Sequence, residues 1–443
     1  MNNWIQSRIF YHIFPLGFCG VLKKGENFKK ENRLIKIENI IPKLKELNIN
    51  AIYFSPVFES TYHGYDTTDY RKIDKRLGSN EDFKILCKKL HENDIKIVLD
   101  GVFNHVGRDF FAFKDVLENR EKSRYVNYFA NLNFNSNTPM NDGLYYEGWN
   151  GCHDLVKLNL WNDDVVNYLL ESVGYWIDEF DIDGLRLDAA DQIELNFFKK
   201  LREYTNKKKE NFWLMGEIIH GDYNRWANSE LLDSVTNYEC YKGIYSSHNT
   251  KNYFEIAYSL NRQFGDYGIY KNLCLYNFVD NHDVNRLAST ITNPMYIYNV
   301  YTILFTMPGI PSIYYGSEYG IKGVKKNGSD DDLRPEIDYN NIQEPDIKLY
   351  NLIKKLSKIR LNSKALKYGS YRQIMIKNEQ YVFLREYKDE KVYVLLNLSD
   401  KDTDVEFNLE NSKCYDLLNE NSTEYSGGHV KICVKAFSAK ILK

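Results

Sequence analysis

The 443-residue chain carries no excess of positive charge: 58 Lys and Arg stand against 61 Asp and Glu, a net charge of −3. Without a basic surplus to neutralise a phosphate backbone, nucleic acid is not the expected partner. Cysteines are few and scattered. The seven, at positions 19, 87, 152, 240, 274, 414 and 433, show no C-x-x-C or Cys/His spacing. An odd, dispersed set argues against a disulfide framework or a zinc site and points to a reducing compartment. No stretch approaches the ~20 apolar residues that a membrane span needs. The opening MNNWIQSRIFYHIFPLGF lacks a charged segment followed by an apolar run and a small-residue cleavage site. The expectation is a cytoplasmic protein with no membrane partner. Internal repeats and low-complexity linkers are also missing. What is present is the balance of an ordinary folded chain, 43 % hydrophobic and 27 % charged, rich in tyrosine (36 residues). Such rings serve mostly as core, and elsewhere face sugars or partner proteins. The length exceeds the ~150 residues of a typical domain, so two or three domains are expected.

Short β-branched and aromatic runs alternate with segments of helical period. Strands are expected over 9–14, 51–54, 96–103, 184–188, 212–216, 234–236, 273–279 and 311–315. Helices are expected over 34–47, 80–93, 165–179, 196–206, 294–306 and 346–361. Eight strand–helix units fit a closed (β/α)8 TIM barrel better than an open sheet. Residues 105–155, rich in Asn, Tyr and Phe with little periodicity, read as an irregular excursion after the third strand. Beyond about 365 the period becomes two, over 381–386, 391–397, 404–407 and 429–434, as in an antiparallel β domain. The expected organisation is an α/β barrel in two parts, 1–104 and 156–363, an inserted domain at 105–155 and a C-terminal β-sandwich domain at 364–443.

In a parallel barrel the chemistry sits at the C-terminal strand ends. The third strand ends in Asp100-Gly-Val-Phe-Asn104-His105, the fourth in Gly184-Leu-Arg186-Leu-Asp188, the fifth in Gly216-Glu217 and the seventh in Asp280-Asn281-His282-Asp283. Any one such Asp is more often a cap or a loop anchor. Ionisable groups gathered on four strands of one mouth call for a function, because burying charge is costly. The set suits glycoside hydrolysis with retention, which requires two carboxyl groups ~5–5.5 Å apart. Arg186 lies on the same strand face as Asp188 and would keep that carboxylate ionised and oriented as a nucleophile. Glu217 follows the apolar run FWLMG, and a poorly solvated Glu suits the general acid. Asp283 would stabilise the transition state by its charge. His105 and His282 can hydrogen-bond sugar hydroxyls, and Tyr65 offers a ring for stacking. Trp149, Tyr145 and Tyr146 in the excursion read equally as core or as sugar-stacking rings.

DGVFNH, GLRLD, GE and VDNHD, in this order, resemble the four signature regions of the α-amylase family of glycoside hydrolases. IFYHIFPLGF, HGYDTTDY and PGIPSIYYGSE are similar to the family as well, so the resemblance covers nearly the whole chain. It implies the barrel, the insertion and the C-terminal β domain. It further implies Asp188 as nucleophile, Glu217 as acid/base and Asp283 as third carboxylate, with Arg186, His105, His282 and Tyr65 in the subsite where the bond breaks. Asp330 and Arg334, in DDDLRPE, resemble a pair that binds the next sugar out.

Departures from the family narrow the reading. DLVKLN (154–159) is closest to the neopullulanase, cyclomaltodextrinase and maltogenic amylase branch. Lys157 stands where calcium-dependent members carry an acidic ligand, so no metal and no cofactor are expected, the usual interdomain calcium site being absent although Asn104 is kept. Asp191-Gln192 replace a Lys-His pair found after the nucleophile in many α-amylases. In GEIIH, Ile219 replaces the branch's Trp. The branch's N-terminal domain, which builds a dimer over the active site, is not expected, because the sequence opens almost directly on the first barrel strand. The expected activity is retaining hydrolysis of α-1,4 bonds, with α-1,6 as a second candidate linkage, in maltooligosaccharides, cyclodextrins or related α-glucans through a covalent glucosyl-enzyme intermediate. The alternatives are a 4-α-glucanotransferase using the same intermediate and a non-catalytic carbohydrate-binding relative. The expected partner is the α-glucan itself; oligomeric state is not readable from sequence.

Overall fold

The computed structural model describes residues 4–22, 28–326, 328–419 and 424–443. Eight parallel strands make one sheet: β1 (Phe10–Ile13), β2 (Ala51–Phe54), β3 (Lys96–Gly101), β4 (Gly184–Leu187), β5 (Trp213–Gly216), β6 (Ser234–Val235), β7 (Tyr276–Asn277) and β8 (Ile310–Tyr314). Their order is β6-β5-β4-β3-β2-β1-β8-β7. A parallel bridge from Thr236 to Tyr276 joins the two ends and closes the barrel. The eight expected strands are these: 51–54 is matched at both ends, and the others differ by one to three residues at an end.

Successive side chains alternate between the barrel interior and the surrounding helices. Phe10, Ala51, Tyr53, Val98, Trp213, Met215, Tyr276 and Ile310 form an interior cluster that fills the barrel. Ile13, Ile52, Ile97, Leu99, Leu185, Leu187 and Leu214 belong to the larger cluster shared with the helices. Gly184 is required at its level, where a Cβ would meet the Trp213 carbonyl oxygen at 2.6 Å. The interior plug is therefore apolar in its lower layers, and polar side chains enter only above it.

Helices form where caps and apolar period agree. Ser79 and Asp82 make a capping box on Asn80–Glu92. Asn162 caps Asp163–Phe180, which stops at Asp181 in a left-handed conformation (φ 55°). The helix expected over 34–47 is instead two short ones, Ile35–Glu38 and Ile41–Glu46, because Pro42 opens the second and cannot continue the first. Two helices after β6 were not foreseen: α1 (Tyr238–Asn249) and α2 (Phe254–Phe264).

The excursion after β3 is more regular than its sequence suggests. It holds a helix, Phe111–Asn119, and a small antiparallel sheet of His105–Gly107, Cys152–Lys157 and Gly148–Trp149. At the C-terminal end, β9 (Ser370–Ile376), β10 (Gln380–Tyr387), β11 (Glu390–Asn397) and β14 (Ser438–Leu442) form one antiparallel sheet, while β12 (Thr403–Tyr415) pairs with β13 (Glu424–Val434). Val382, Leu384, Tyr393, Leu395, Phe407 and Ile432 make the core of this part. Arg385 on β10 reaches back and donates to the carbonyls of Thr306 (2.6 Å), Gly369 (2.8 Å) and Ser370 (3.1 Å), fastening the sheet to the barrel.

Candidate active site

Period-two alternation carries the interior pattern upward from apolar to polar. Phe10 is followed by His12, Val98 by Asp100, Gly184 by Arg186 and Asp188, and Met215 by Glu217. Strand register then sets neighbours: Asp100 and Met215 both lie level with Arg186. The consequence is a single guanidinium serving three carboxylates. Arg186 Nη1 donates to Asp100 (3.0 Å to Oδ1) and to Asp188 Oδ1 (2.9 Å), and Nη2 pairs with Glu217 Oε1 at 2.8 Å. Asp188 and Glu217, 29 positions apart by numbering, thus meet on adjacent nitrogens of one planar group.

The backbone reinforces this meeting. Ala189 holds a left-handed conformation (φ 45°) that a non-glycine residue seldom adopts. In that conformation its N–H donates to Glu217 Oε2 at 3.1 Å. Tyr238, at the start of α1, also donates to Glu217 Oε1 at 3.4 Å and itself accepts from Asn281 Nδ2 at 3.1 Å.

Asp283 completes the ring on the far side. Arg334 Nη2 binds its Oδ1 at 2.9 Å, and His282 Nε2 lies 3.0 Å from its Oδ2. Arg334 Nη2 also binds Asp330 Oδ2 at 3.0 Å, and its Nε donates to the His282 carbonyl. Arg334 is therefore bound directly to Asp283, and Asp330 is joined to it through Arg334. Tyr65 stacks on His282 with ring centroids 5.5 Å apart and planes within 10°. Its hydroxyl donates to Asp100 Oδ2 at 3.1 Å and meets His282 Nε2.

His105 faces Asp188 from the other side, with Nε2 3.9 Å from Oδ2. Asn104 Nδ2 donates to its Nδ1 at 3.2 Å, which assigns the ring proton to Nε2. That N–H is buried without a protein partner among the described residues. Burial pushes the imidazole down to about 3, so it is neutral at physiological pH. A neutral imidazole with its N–H at Nε2 can donate to a hydroxyl oxygen.

Electrostatics departs from the sequence reading at Asp188. Arg186 was expected to hold this carboxylate ionised. Instead burial raises its pKa well above the usual range, and Glu217, Asp100 and Asp283 add to the rise against the pull of Arg186. The physical reason is arithmetic: one cation is divided among several buried carboxylates, and Asp188 does not have Arg186 to itself. Asp283 goes the other way. Burial would raise it, but His282, Arg334 and Arg186 outweigh burial and hold it below the ordinary carboxylate range.

Several participants were not assigned a site role from sequence. Asp100 was noted at its strand end, yet its function as the bidentate partner of Arg186 emerges only from register. Tyr53, which donates to Asp100 Oδ2 at 2.7 Å, and Tyr238 carry no local signal. The aromatic question in the excursion is resolved residue by residue. Tyr146 is fully buried core, whereas Trp149 is 36 % exposed and its ring lies 5.7 Å from that of His105. Lys157, level with His105 on the neighbouring strand, pairs with Glu147 Oε1 at 2.6 Å.

Comparisons with known proteins place the chain in a family. Residues 33–346 match the model of the alpha amylase catalytic domain, and residues 371–441 that of the maltogenic amylase C-terminal domain. A cyclomaltodextrinase of Thermoanaerobacter pseudethanolicus is 34 % identical over 462 residues, covering 100 % of this chain and 78 % of the relative. An intracellular maltogenic amylase of Bacillus subtilis is 32 % identical over 339 residues, covering 72 % of this chain and 57 % of the relative. Among solved structures, a debranching enzyme of Nostoc punctiforme superposes with a TM-score of 0.83 at 27 % identity, over 99 % of this chain and 98 % of that one. The chain belongs to the alpha-amylase family of glycoside hydrolases.

Proposed function

We propose that the protein hydrolyses α-1,4 glucosidic bonds in maltooligosaccharides and cyclodextrins, and α-1,6 bonds in related dextrins, with retention of anomeric configuration. The observation that carries this is the Arg186 guanidinium bound at once to Asp188 and Glu217. Carboxyl groups on adjacent nitrogens of one fork fit the close spacing of retaining enzymes, ~5–5.5 Å, better than the ~6.5–9.5 Å that accommodates an intervening water.

Asp188 attacks the anomeric carbon and forms a glycosyl ester while the bond to the leaving oxygen breaks. Glu217 gives that oxygen its proton, then takes a proton from the water that hydrolyses the ester. Attack requires Asp188 as the carboxylate, the form that its bond from Arg186 favours against the burial and neighbouring carboxylates that raise its pKa. Asp283, ionised by its Arg334 and His282 contacts, faces the developing oxocarbenium charge. His105, His282, Tyr65 and Arg186 bind the sugar whose bond breaks. Arg334 and Asp330 position Asp283 and border the next sugar, and Trp149 offers a stacking face beside His105.

The family's interdomain calcium does not fit the residues present. Where an acidic ligand would be needed, the Lys157 ammonium is already paired with Glu147, and a divalent cation there would meet like charge. Among the described residues no group of three or more His, Cys, Asp or Glu is arranged to hold a metal. Chelator treatment is expected to leave activity and melting temperature unchanged; a fall in either, restored by calcium, contradicts this. For location we propose the cytoplasm: the Bacillus subtilis relative is named intracellular, and all seven cysteines are free.

The test is a product profile on maltotriose, cyclodextrin, pullulan and starch, with Glu217→Gln as control. Glucose and maltose from maltotriose, lost by about a thousandfold or more in the variant, support the reading. Oligomers longer than maltotriose as the main early products would replace hydrolysis by glucanotransfer. Unchanged hydrolysis in Glu217→Gln would remove that residue from the mechanism.

A further inference from the structure

A groove of about 890 Å³ runs along the seam between α1 and α2, beside the catalytic centre. It opens at Ile219 and His220, two and three residues beyond Glu217, and Tyr238 lines both it and the centre. Tyr238, Tyr241 and Tyr245 lie on one face of α1 at helical spacing, with ring centroids 6.1 and 5.1 Å apart along the series. Phe254 and Tyr258 on α2 form the opposite wall, 47 % and 69 % exposed. The helices are held close at Gly243, where a Cβ would lie 3.1 Å from Ser259 Oγ, so both sets of rings flank one floor.

The polar edge is as informative as the rings. Arg262 pairs with Glu239 across the seam, and Glu255 is held by Ser246 and by Thr250 Oγ1 (2.7 Å). Planar hydrogen-bonding groups are thus pinned in place, and with Lys242 in the same lining two cations stand against the two carboxylates of the groove. A surface with aromatic faces, fixed polar edges and no charge of one sign suits a neutral polyhydroxylated chain rather than an anion or an apolar helix. Glu217 protonates the leaving oxygen in the proposed reaction, so a groove that starts beside Glu217 lies on the leaving-group side.

We propose that this seam is a sugar-binding groove for the leaving-group end of a long α-glucan, with Tyr245 and Tyr258 as stacking platforms beyond the sugar next to the cleaved bond. The proposal rests on the glucosidase reading above and adds a length preference to it. A longer oligomer engages more of these rings than a short one does, so maltoheptaose gains more from the groove than maltotriose.

The experiment compares wild type with the double variant Tyr245→Ala/Tyr258→Ala and with Tyr245→Phe/Tyr258→Phe. The ratio of kcat/KM for maltoheptaose to that for maltotriose is expected to fall about tenfold in the alanine variant and to be restored by phenylalanine, which keeps the stacking face. Calorimetric binding of maltoheptaose to Glu217→Gln is expected to weaken by about the same factor when the two alanines are added. An unchanged ratio overturns the groove, as does a ratio unchanged while sedimentation shows wild-type dimers turning into monomers, which makes the seam a contact between copies. Equal loss on both substrates also overturns it. Failure of wild type to cleave either oligomer would instead fall on the glucosidase reading, and the binding measurement would still decide the groove.

Discussion

Arg186 shows at the residue scale how one side chain organises charge that could not otherwise be buried together. Its fork touches Asp100, Asp188 and Glu217, a geometry that the single ammonium of lysine cannot reproduce. Arg186→Lys is expected to keep the fold and lower kcat by about a hundredfold, measured on any cleaved maltooligosaccharide. Asp188 yields a prediction about stability. Its pKa is raised in the folded protein, so the native state holds a proton that the unfolded chain releases above its ordinary value of ~3.9. Where the native state binds more protons, stability falls as pH rises. Asp188→Asn removes that penalty together with the nucleophile. The variant is expected to be inactive and to melt higher than wild type at neutral pH, the difference shrinking as pH falls through the unfolded value. Thermal melts at neutral and acidic pH check this, and an Asn variant that melts lower at neutral pH would contradict it.

Elements place these residues, and they differ in how plainly the sequence announced them. The strand ends were legible because short apolar runs stop abruptly at Asp100, Asp188, Glu217 and Asp280, and period two keeps Arg186 on the face of Asp188. The Asp100–Arg186 bond was not, because it depends on register between β3 and β4, which no local pattern encodes. Helix α1 was equally obscure. YECYKGIYSSHN is rich in Tyr, Ser, His and Asn, indifferent or poor helix formers, and its helix is started by the Asn237 cap and packed on α2 at Gly243. The turn after β4 is a third case. Nothing in Asp-Ala-Ala predicts a left-handed Ala189, yet that conformation aims its N–H at Glu217. Ala189→Gly is expected to retain activity, since glycine adopts this conformation freely. Ala189→Val is expected to lower kcat at least tenfold and to cost about 1–2 kcal/mol of stability, because a β-branched side chain resists positive φ. Equal activity in the two variants would separate the turn from catalysis. The hairpin around Asn150 and Gly151, with φ of 48° and 80°, fixes Trp149 next to His105 in a similar way.

Across the whole molecule, the apolar interior cluster confines charge to one end of the barrel, and the excursion and α1 flank that end. The C-terminal sheets stand apart from the chemistry but not from stability. Arg385, buried with backbone carbonyls as its hydrogen-bond partners, joins β10 to the helix before β8 and has its pKa lowered by burial. Replacing it by Met leaves those carbonyls without donors and is expected to destabilise the protein by about 3 kcal/mol while leaving kcat at low temperature near that of wild type. Chemical denaturation and a rate measurement together separate this fastening role from a catalytic one. Retention requires Asp188 and Glu217 to act as one pair. Proton NMR of the anomeric signals during the first minutes of maltooligosaccharide cleavage tests that directly. The α-anomer is predicted to appear first and to mutarotate afterwards; initial release of the β-anomer would contradict it.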